Sequence, residues 1–223
     1  MFHVEHPVRL EKLLFSGGEA VSCPLSRDSV KTFLWYLQEL SNWNAKINLT
    51  ALKQEIDIVI ELFIDSLACG LALSREKNES ILDIGSGAGF PGIPLKIAYP
   101  NLQITLLEPR LKKSAFLHHI IGTLNLKNIQ VISRSVKELC HDGSYRSAFD
   151  KVIARAVTPQ AIFPEAGSFL CETGKAVLCR SKRLGSCEQS WRMRVEKEMD
   201  YELPQGYGKR VLSILEPLIE QNR

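Results

Sequence analysis

The segment from Ile81 to Gly92, ILDIGSGAGFPG, constrains the fold of this chain more than any other. An apolar run ends in Asp83, and three alternating glycines follow at once: Gly85, Gly87 and Gly89. Glycine adopts positive φ readily and has no Cβ, so a ligand can lie against bare backbone there. Prolines at positions 91 and 94 suit the first turn of a helix, where a missing N–H has no intrahelical partner. The segment therefore predicts a strand, a turn and a helix that together begin a cofactor site.

Two classes of cofactor fit this turn, and a tight turn without a ligand is the third alternative. Gly87, Gly89 and Gly92 spell the dinucleotide fingerprint G-x-G-x-x-G. Glu108 follows roughly 20 residues later, where an acid can meet a ribose. With Asp83 included, the string resembles the first motif of methyltransferases that use S-adenosylmethionine (SAM). A carboxylate at Asp83 repels a pyrophosphate, so the turn favours SAM, which has no phosphate and carries a sulfonium, an ammonium and a carboxylate.

The composition of the 223 residues is that of an ordinary globular protein, with 28 basic and 25 acidic side chains. The formal charge of +3 permits a nucleic-acid partner without requiring one. None of the six cysteines forms C-x-x-C or stands at metal-ligand spacing from a histidine, so we expect reduced thiols and no metal. Because the sequence shows neither a signal peptide nor a run of roughly 18 apolar residues, we expect a cytoplasmic protein without membrane contact.

Hydrophobic periodicity divides the chain into two parts. From about Asp28 to Leu73 apolar residues recur at three- and four-residue steps, which predicts helices. Beyond residue 80, strands are predicted near 81–84, 102–107, 129–132, 150–154, 174–179 and 210–215. Helices are predicted there near 92–98, 111–124, 159–170 and 187–198. This alternation predicts a doubly wound α/β fold with a mostly parallel, Rossmann-like sheet. We expect an N-terminal helical extension over residues 1–79 and a SAM-binding methyltransferase domain over residues 80–223.

Polar residues follow the ends of several predicted strands, where α/β folds bind ligands. Glu108 can accept hydrogen bonds from both hydroxyls of a ribose, although a solvated acid ahead of a helix is the alternative. Ser135 and Val136 suit either an adenine ring or an ordinary helix start with Ser135 as the N-cap. Arg155 can hold a carboxylate or a phosphate, or pair with an acid of the protein itself.

Two basic segments lie outside these strand ends. Lys112-Lys113 and His118-His119 form a strip on one predicted helix, and a solvated helix face is the favoured interpretation over a metal site. The stretch from Arg180 to Lys197 has an excess of basic residues that either grips phosphates or forms a solvated helix of mixed charge. The sequence shows no Ser/His/Asp or Cys/His set, so it predicts no nucleophile.

Further motifs occur in a specific order along the chain. An Asn-Leu-Thr elbow at 48–50 and an Asp-Ser-Leu helix at 65–67 precede the turn G-S-G-A-G-F-P-G-I-P-L. Leu-Leu-Glu at 106–108 and Ala-Arg-Ala at 154–156 follow it. With these motifs the chain resembles, over most of its length, the bacterial small-subunit ribosomal RNA guanine-N7 methyltransferases, also called the glucose-inhibited division protein B family. Generic methyltransferases share only the glycine turn.

The resemblance implies a set of contacts. The turn and Phe90 would contact SAM, Glu108 its ribose, Ser135 and Val136 its adenine, and Arg155 the far side of the pocket. The predicted cofactor-binding residues are Gly85, Ser86, Gly87, Gly89, Phe90, Glu108, Ser135, Val136 and Arg155. The predicted RNA-binding residues are Trp43, Asn48, Arg180, Lys182 and Arg183.

The implied reaction is methyl transfer from SAM to N7 of a guanine in 16S ribosomal RNA, with the small ribosomal subunit as partner and the protein as a monomer. N7 offers a ring lone pair and has no proton to lose, so no general base and no catalytic side chain are expected. The guanine must leave its stack, and Phe90, Trp43 and Arg155 are candidates to receive it. An NAD-dependent oxidoreductase and a non-catalytic RNA-binding or ribosome assembly factor are the alternative functions.

Overall fold

The computed structural model describes residues 5–74, 78–155, 163–184 and 192–218. The α-helices are α1 (Glu5–Ala20), α2 (Arg27–Asn44), α3 (Glu55–Ile58), α4 (Asp65–Leu67), α5 (Gly92–Ala98), α6 (Leu111–Thr123), α7 (Val136–Leu139) and α8 (Phe163–Phe169). The strands are β1 (Ser80–Ile84), β2 (Gln103–Leu107), β3 (Ile129–Ile132), β4 (Phe149–Arg155), β5 (Leu170–Arg180), β6 (Met193–Glu202) and β7 (Lys209–Pro217). A π-helix over Val59–Ile64 joins α3 to α4, and 3₁₀ helices lie at Ala68–Ala72, Gly143–Tyr145 and Pro204–Gly206.

The seven strands form one sheet in the order β3-β2-β1-β4-β5-β7-β6. β1 to β5 run parallel to one another, and β7 lies antiparallel between β5 and β6. This confirms the predicted doubly wound α/β fold with a mostly parallel sheet. The predicted strands and the predicted helices near 92–98 and 111–124 each coincide with an element of the structure.

The helix predicted near 187–198 is wrong. Residues 193–202 form the edge strand β6, and residues 185–191 lie outside the described part of the chain. Apolar side chains do alternate in this strand, at Met193 and Val195 and again at Met199 and Tyr201, as a strand requires. A register shift between Val195 and Lys197 interrupts the alternation. With its many charged residues, the sequence of this segment therefore resembles that of an exposed helix.

Two further differences concern helices. The helix predicted near 159–170 is present as α8, and residues 159–162 of that prediction lie outside the described residues. The helical region expected from about Asp28 is preceded by α1, which the sequence pattern did not predict. α1 nevertheless contributes Leu10, Leu13 and Leu14 to the core, each at most 5% exposed.

One hydrophobic cluster joins the N-terminal helices to the sheet. On α2 it contains Val30, Phe33, Tyr36, Leu37 and Leu40, whereas Leu34, expected in the same stripe, is half-buried. The cluster continues through Phe63 and Ile64 to Ile81 of β1 and Ile153 of β4. A second cluster covers the opposite face of the sheet, where Leu82 and Val152 point. The N-terminal helices therefore cover one face of the sheet, and the domain boundary at residue 79 stays a prediction.

None of the described helices is long and apolar enough to cross a membrane.

We expect Leu14→Ala to lower the free energy of unfolding by about 2–5 kcal/mol, because Leu14 is fully buried in the cluster that α1 shares with the sheet. Urea unfolding followed by circular dichroism measures this change. Val8→Ala on the same helix is the matched control, since Val8 is 48% exposed and its loss should cost about 0.5 kcal/mol or less. Equal stability of the two variants would show that α1 does not belong to the core.

Candidate functional site

Backbone hydrogen bonds align the carboxyl ends of the central strands. The amides of Gly85 and Ser86 both donate to the carbonyl of Leu107, at 2.8 and 3.2 Å, and the amide of Glu108 donates to Ile132 at 3.1 Å. Ala154 of β4 lies opposite Ile84 of β1 in the sheet. The carboxyl ends of β1, β2, β3 and β4 therefore lie at one edge of the sheet, as the sequence predicts.

The glycine turn has the backbone conformation that its composition predicts. Gly85, Gly87 and Gly89 have φ values of 73°, 60° and 99°, in the left-handed region that favours glycine. A Cβ at Gly89 would lie 2.4 Å from Cδ1 of Ile93, so this position has no room for a side chain. A Cβ at Gly87 would meet nothing closer than 3.8 Å. The surface over Gly87 is therefore open.

Asp83 is a fully buried carboxylate at the base of the turn. Its Oδ2 accepts a hydrogen bond from the amide of Gly92 at 2.9 Å, which ties the end of β1 to the start of α5. Its Oδ1 has no hydrogen-bond partner among the described residues. Burial raises the pKa of Asp83 to about 7, against the opposing effects of the Gly92 and Ser86 hydrogen bonds and the charge of Arg155. The site thus contains an acid that a positive charge would ionise.

Glu108 lies against the glycine turn. Its Oε2 accepts from the amide of Gly87 at 2.9 Å, and its Oε1 accepts from the amide of Arg110 at 2.8 Å. The residue is 4% exposed, so it is not the solvated acid of the alternative interpretation. Each carboxylate oxygen can accept more than one hydrogen bond, which leaves acceptor positions for a ligand. The ribose role of Glu108 stays a prediction.

Arg155, at the end of β4, is bound to the N-terminal helices. Its Nη2 lies 2.9 Å from Oδ2 of Asp65, and its Nη1 donates to the carbonyl of Leu62 and to Oγ of Ser66, both at 3.2 Å. Nη2 also donates to the carbonyl of Glu61. The side chains of Arg155 and Asp65 are only 14% and 6% exposed. The arginine therefore pairs with a buried acid, and its direct contact with a cofactor stays a prediction.

Phe90 belongs to an aromatic cluster behind the turn. Its ring lies 5.5 Å from that of Tyr36 and 5.8 Å from that of Phe63, between centroids. The hydroxyl of Tyr36 donates to the carbonyl of Ala88 within the turn. Phe90 is 9% exposed, so it supports the turn from the core side and offers little surface on which an RNA base could stack.

Ser135 caps the short helix α7. Its Oγ accepts from the amide of Glu138 at 3.3 Å, and Glu138 in turn accepts from the amide of Ser135 at 2.7 Å. This capping box matches the helix-start alternative for this segment. Ser135 and Val136 remain half-buried three residues beyond β3, and their contact with an adenine stays a prediction.

The predicted RNA-binding residues fall on two separate surfaces. Trp43 packs against α6, with its ring 5.6 Å from Phe116 and 5.0 Å from His119, and Asn48 is exposed nearby. Arg180 is the last residue of β5, and Lys182 follows it. There Arg183 pairs with Glu198 and Asp200. The charge of Arg183 is therefore already balanced within the protein.

The paired histidines do not form a metal site in the described chain. His119 Nε2 lies 2.5 Å from Oε2 of Glu39, and His118 is exposed on another side of α6. Within residues 5–74, 78–155, 163–184 and 192–218, no group of three or more His, Cys, Asp or Glu side chains could hold a metal ion.

Three functional neighbours of the site were not predicted. Tyr36 fits the apolar stripe of α2, but its hydrogen bond to the carbonyl of Ala88 in the turn becomes visible only in the folded structure. Asp65 lies in the Asp-Ser-Leu motif, and its Oδ1 accepts from the hydroxyl of Tyr201 at 2.6 Å. Lys113 Nζ is 3.8 Å from the position of a Cβ at Gly87. The only sequence signal for the last residue is the Lys112-Lys113 pair.

The sheet order differs from that of dinucleotide-binding domains. Dinucleotide-binding domains have six parallel strands in the order 3-2-1-4-5-6. Here β7 is inserted antiparallel between β5 and β6. The topology therefore departs from that of the dinucleotide fold beyond β5.

Comparison with known proteins gives a consistent result. Residues 29–200 match the family model GidB, described as rRNA small subunit methyltransferase G. The chain is 35% identical over 213 residues to the ribosomal RNA small subunit methyltransferase G of Dehalococcoides mccartyi, an alignment that covers 92% of this chain and 90% of the relative. It is 41% identical over 150 residues to the protein of the same name from Roseiflexus castenholzii, covering 67% of this chain. The latter alignment spans 64% of that relative, just under two thirds of its length.

Solved structures share the fold at low sequence identity. A SAM-dependent methyltransferase from Aquifex aeolicus matches with a TM-score of 0.53 and 13% identity, covering 71% of this chain and 92% of that chain. The PH0226 protein from Pyrococcus horikoshii matches with a TM-score of 0.51 and 15% identity, covering 79% of this chain and 98% of that chain. These likenesses establish a common architecture.

We expect the stability of the protein to fall between about pH 4 and pH 7 through Asp83. Burial raises the pKa of Asp83 from 3.8 to about 7, so between these pH values the folded protein keeps a proton that the unfolded chain has lost. The stabilisation from Asp83 is therefore complete at low pH and is lost as the pH rises through about 7. Asp83→Asn keeps an acceptor for the Gly92 amide and removes the titration. The difference in unfolding free energy between this variant and the wild type should therefore grow with pH, by up to roughly 4 kcal/mol.

Urea unfolding at several pH values measures this difference. Glu172→Gln, at an exposed position of β5, is the control and should show no such trend. A constant difference between Asp83→Asn and wild type from pH 4 to pH 8 would contradict the raised pKa.

Proposed function

The chain belongs to the rRNA small subunit methyltransferase G family, and we propose on this premise that it transfers the methyl group of SAM to N7 of a guanine in 16S ribosomal RNA. The observation that carries the proposal is the glycine turn beside Asp83 and Glu108, inside the family match. We propose that the protein acts in the cytoplasm, on the RNA of the small ribosomal subunit, as a monomer.

The residues at the strand ends fit SAM in charge and in shape. Asp83 places a buried carboxyl group with an unpaired oxygen at the base of the turn, which suits a ligand with two positive charges. The open surface over Gly87 leaves room for a ligand against the backbone. Glu108 retains acceptor positions beside the same glycine, where ribose hydroxyls can donate.

Other residues shape the pocket. Gly85, Ser86 and Gly89 form its floor, and Phe90 fixes the turn from the core. In this proposal, Ser135 and Val136 border the adenine beyond the end of β3. Arg155 holds the N-terminal helices against the end of β4 through Asp65, and this contact closes the far side of the pocket.

When bound, SAM supplies an electrophilic methyl group on a sulfonium. The protein has to align the guanine with that group, because N7 attacks with its own lone pair and needs no base. Effective molarities on the order of 10⁵ M are available from such alignment. Trp43 and Asn48 lie on the RNA side in this proposal, with Arg180, Lys182 and Arg183 as a second contact region.

We expect Gly87→Asp to abolish SAM binding while the protein stays folded. Aspartate tolerates the left-handed φ of 60° at this position, and its Cβ meets no protein atom closer than 3.8 Å. The side chain would instead fill the space proposed for the cofactor. Isothermal titration calorimetry with SAM measures the loss, and a thermal melt confirms folding.

The control for this experiment is Gly143→Asp, at a position where a Cβ meets nothing within 4 Å. It should bind SAM like the wild type. Undiminished SAM affinity in a folded Gly87→Asp variant would place the cofactor elsewhere. Titration of the wild type with NADH in parallel tests the oxidoreductase alternative, which predicts binding of NADH and not of SAM.

Transfer itself is tested with methyl-labelled SAM and small-subunit particles from cells that lack this protein. Label should appear in 16S RNA, and mass mapping should find a single methylated guanine with the fragmentation of N7 substitution. Label in no RNA, despite SAM binding, would favour the non-catalytic assembly factor. The Gly87→Asp variant is the matched negative control.

A further inference from the structure

A cavity of about 540 Å³ lies between the elbow after α2 and the first turn of α6. We call it the basic groove, and its lining residues are Lys46, Ile47, Asn48, Arg110, Leu111, Lys112 and Lys113. Four of the seven carry a positive charge, and no acidic residue is among them. Two distant segments of the chain, 46–48 and 110–113, thus concentrate cations in one concave surface.

The cations of the basic groove have no ion-pair partners in the described part of the chain. Lys46, Arg110 and Lys112 are exposed, and none of them lies within 4 Å of a carboxylate there. Two arginines near the C-terminus differ in this respect. Arg183 pairs with Glu198, and Arg194 pairs with Glu216. The positive charge of the basic groove, unlike that of these two arginines, is therefore available to an external anion.

The walls of the basic groove are held in place. Oδ1 of Asn44 accepts from the amides of Leu49 and Thr50, at 2.8 and 3.0 Å, which fixes the elbow. The ring of Trp43, at the end of α2, packs on Phe116 and so connects the chain next to the elbow to α6. A surface that is already shaped loses little entropy when a ligand binds.

One exposed apolar side chain lies among the charged residues of the basic groove. Leu111 is 75% exposed, the largest exposure among the large hydrophobic side chains that the structure describes. Single-stranded nucleic acid presents phosphates together with unstacked base faces, and proteins bind it by combining cations with apolar or aromatic contacts. The combination in the basic groove matches that chemistry better than it matches a free inorganic anion.

The basic groove leads to the proposed cofactor position. Lys113 lines the basic groove, and its Nζ is also 3.8 Å from the site of a Cβ at Gly87. A single strand of nucleic acid lying in the basic groove would therefore pass beside the open face of the glycine turn.

We propose that the basic groove holds the sugar-phosphate backbone of the RNA strand next to the target guanine, an inference that rests on the proposed function. Lys46, Arg110 and Lys112 contact phosphates, and Leu111 contacts an exposed base or sugar. Lys113 neutralises the phosphate that comes nearest to the cofactor turn. The stretch after β5, where Arg183 is already paired with acids of the protein, is then a secondary contact.

The test uses the full-length protein and a fluorescent RNA of the small subunit, with anisotropy recorded at several salt concentrations. Lys46→Gln combined with Lys112→Gln should reduce the slope of log affinity against log salt by about 1.4, as expected for two lost contacts to single-stranded phosphates. At low salt the affinity should fall on the order of tenfold. Leu111→Ser should lower the affinity without changing the slope. Lys31→Gln combined with Lys127→Gln, at exposed positions elsewhere, should match the wild type.

SAM affinity and methyl transfer are measured on the same variants. The proposal predicts an unchanged SAM affinity and a raised KM for RNA in the Lys46/Lys112 variant, with kcat affected less. If that variant keeps the wild-type slope and KM while the wild type methylates RNA, the groove assignment is overturned and the proposed function stands. If the wild type neither binds nor methylates the RNA, both fail together. If the slope of log affinity against log salt falls equally in the Lys46/Lys112 variant and in the Lys31/Lys127 control, the groove assignment is also overturned. The slope would then depend only on the net charge of the protein.

Discussion

The hydrogen bond between the buried carboxyl group of Asp83 and the amide of Gly92 organises the site. It joins Asp83, near the end of β1, to Gly92, the first residue of α5. The two residues are nine positions apart, so the chain between them has to form a tight loop. Three residues with positive φ make that loop possible. Glu108 then fixes the turn from the neighbouring strand through the amide of Gly87. The surface proposed for the cofactor thus results from the way in which one strand is connected to one helix.

The N-terminal helices stabilise this arrangement from behind. Tyr36 donates a hydrogen bond to the turn and stacks on Phe90. Asp65 forms an ion pair with Arg155 at the end of β4 and accepts a hydrogen bond from Tyr201 of β6. Such buried ion pairs contribute to a specific geometry more clearly than to net stability. In this fold they set the position of the helices relative to the strand ends, where both proposed ligands meet.

The sequence predicts the parts of this structure that depend on local pattern. Alternating apolar runs and helices are enough to place the parallel strands, and the spacing of Asp83, Gly85 and Gly87 is enough to find the turn. The antiparallel strand β6 escapes prediction, because a register shift interrupts its alternation. The hydrogen bonds between Tyr36 and Ala88 and between Tyr201 and Asp65 join residues 52 and 136 positions apart. No local sequence pattern predicts such contacts. The same holds for the basic groove, whose two walls are separated by more than sixty residues of chain.

The protonated state of Asp83 also links ligand uptake to acidity. A cation that settles over the turn favours the ionised carboxylate, so near neutral pH its arrival expels a proton into the solvent. The heat of uptake would then vary with the ionisation enthalpy of the buffer, and the apparent affinity would increase as the medium becomes more alkaline. Acidification from neutral pH would therefore weaken the binding of a positively charged cofactor by this protein.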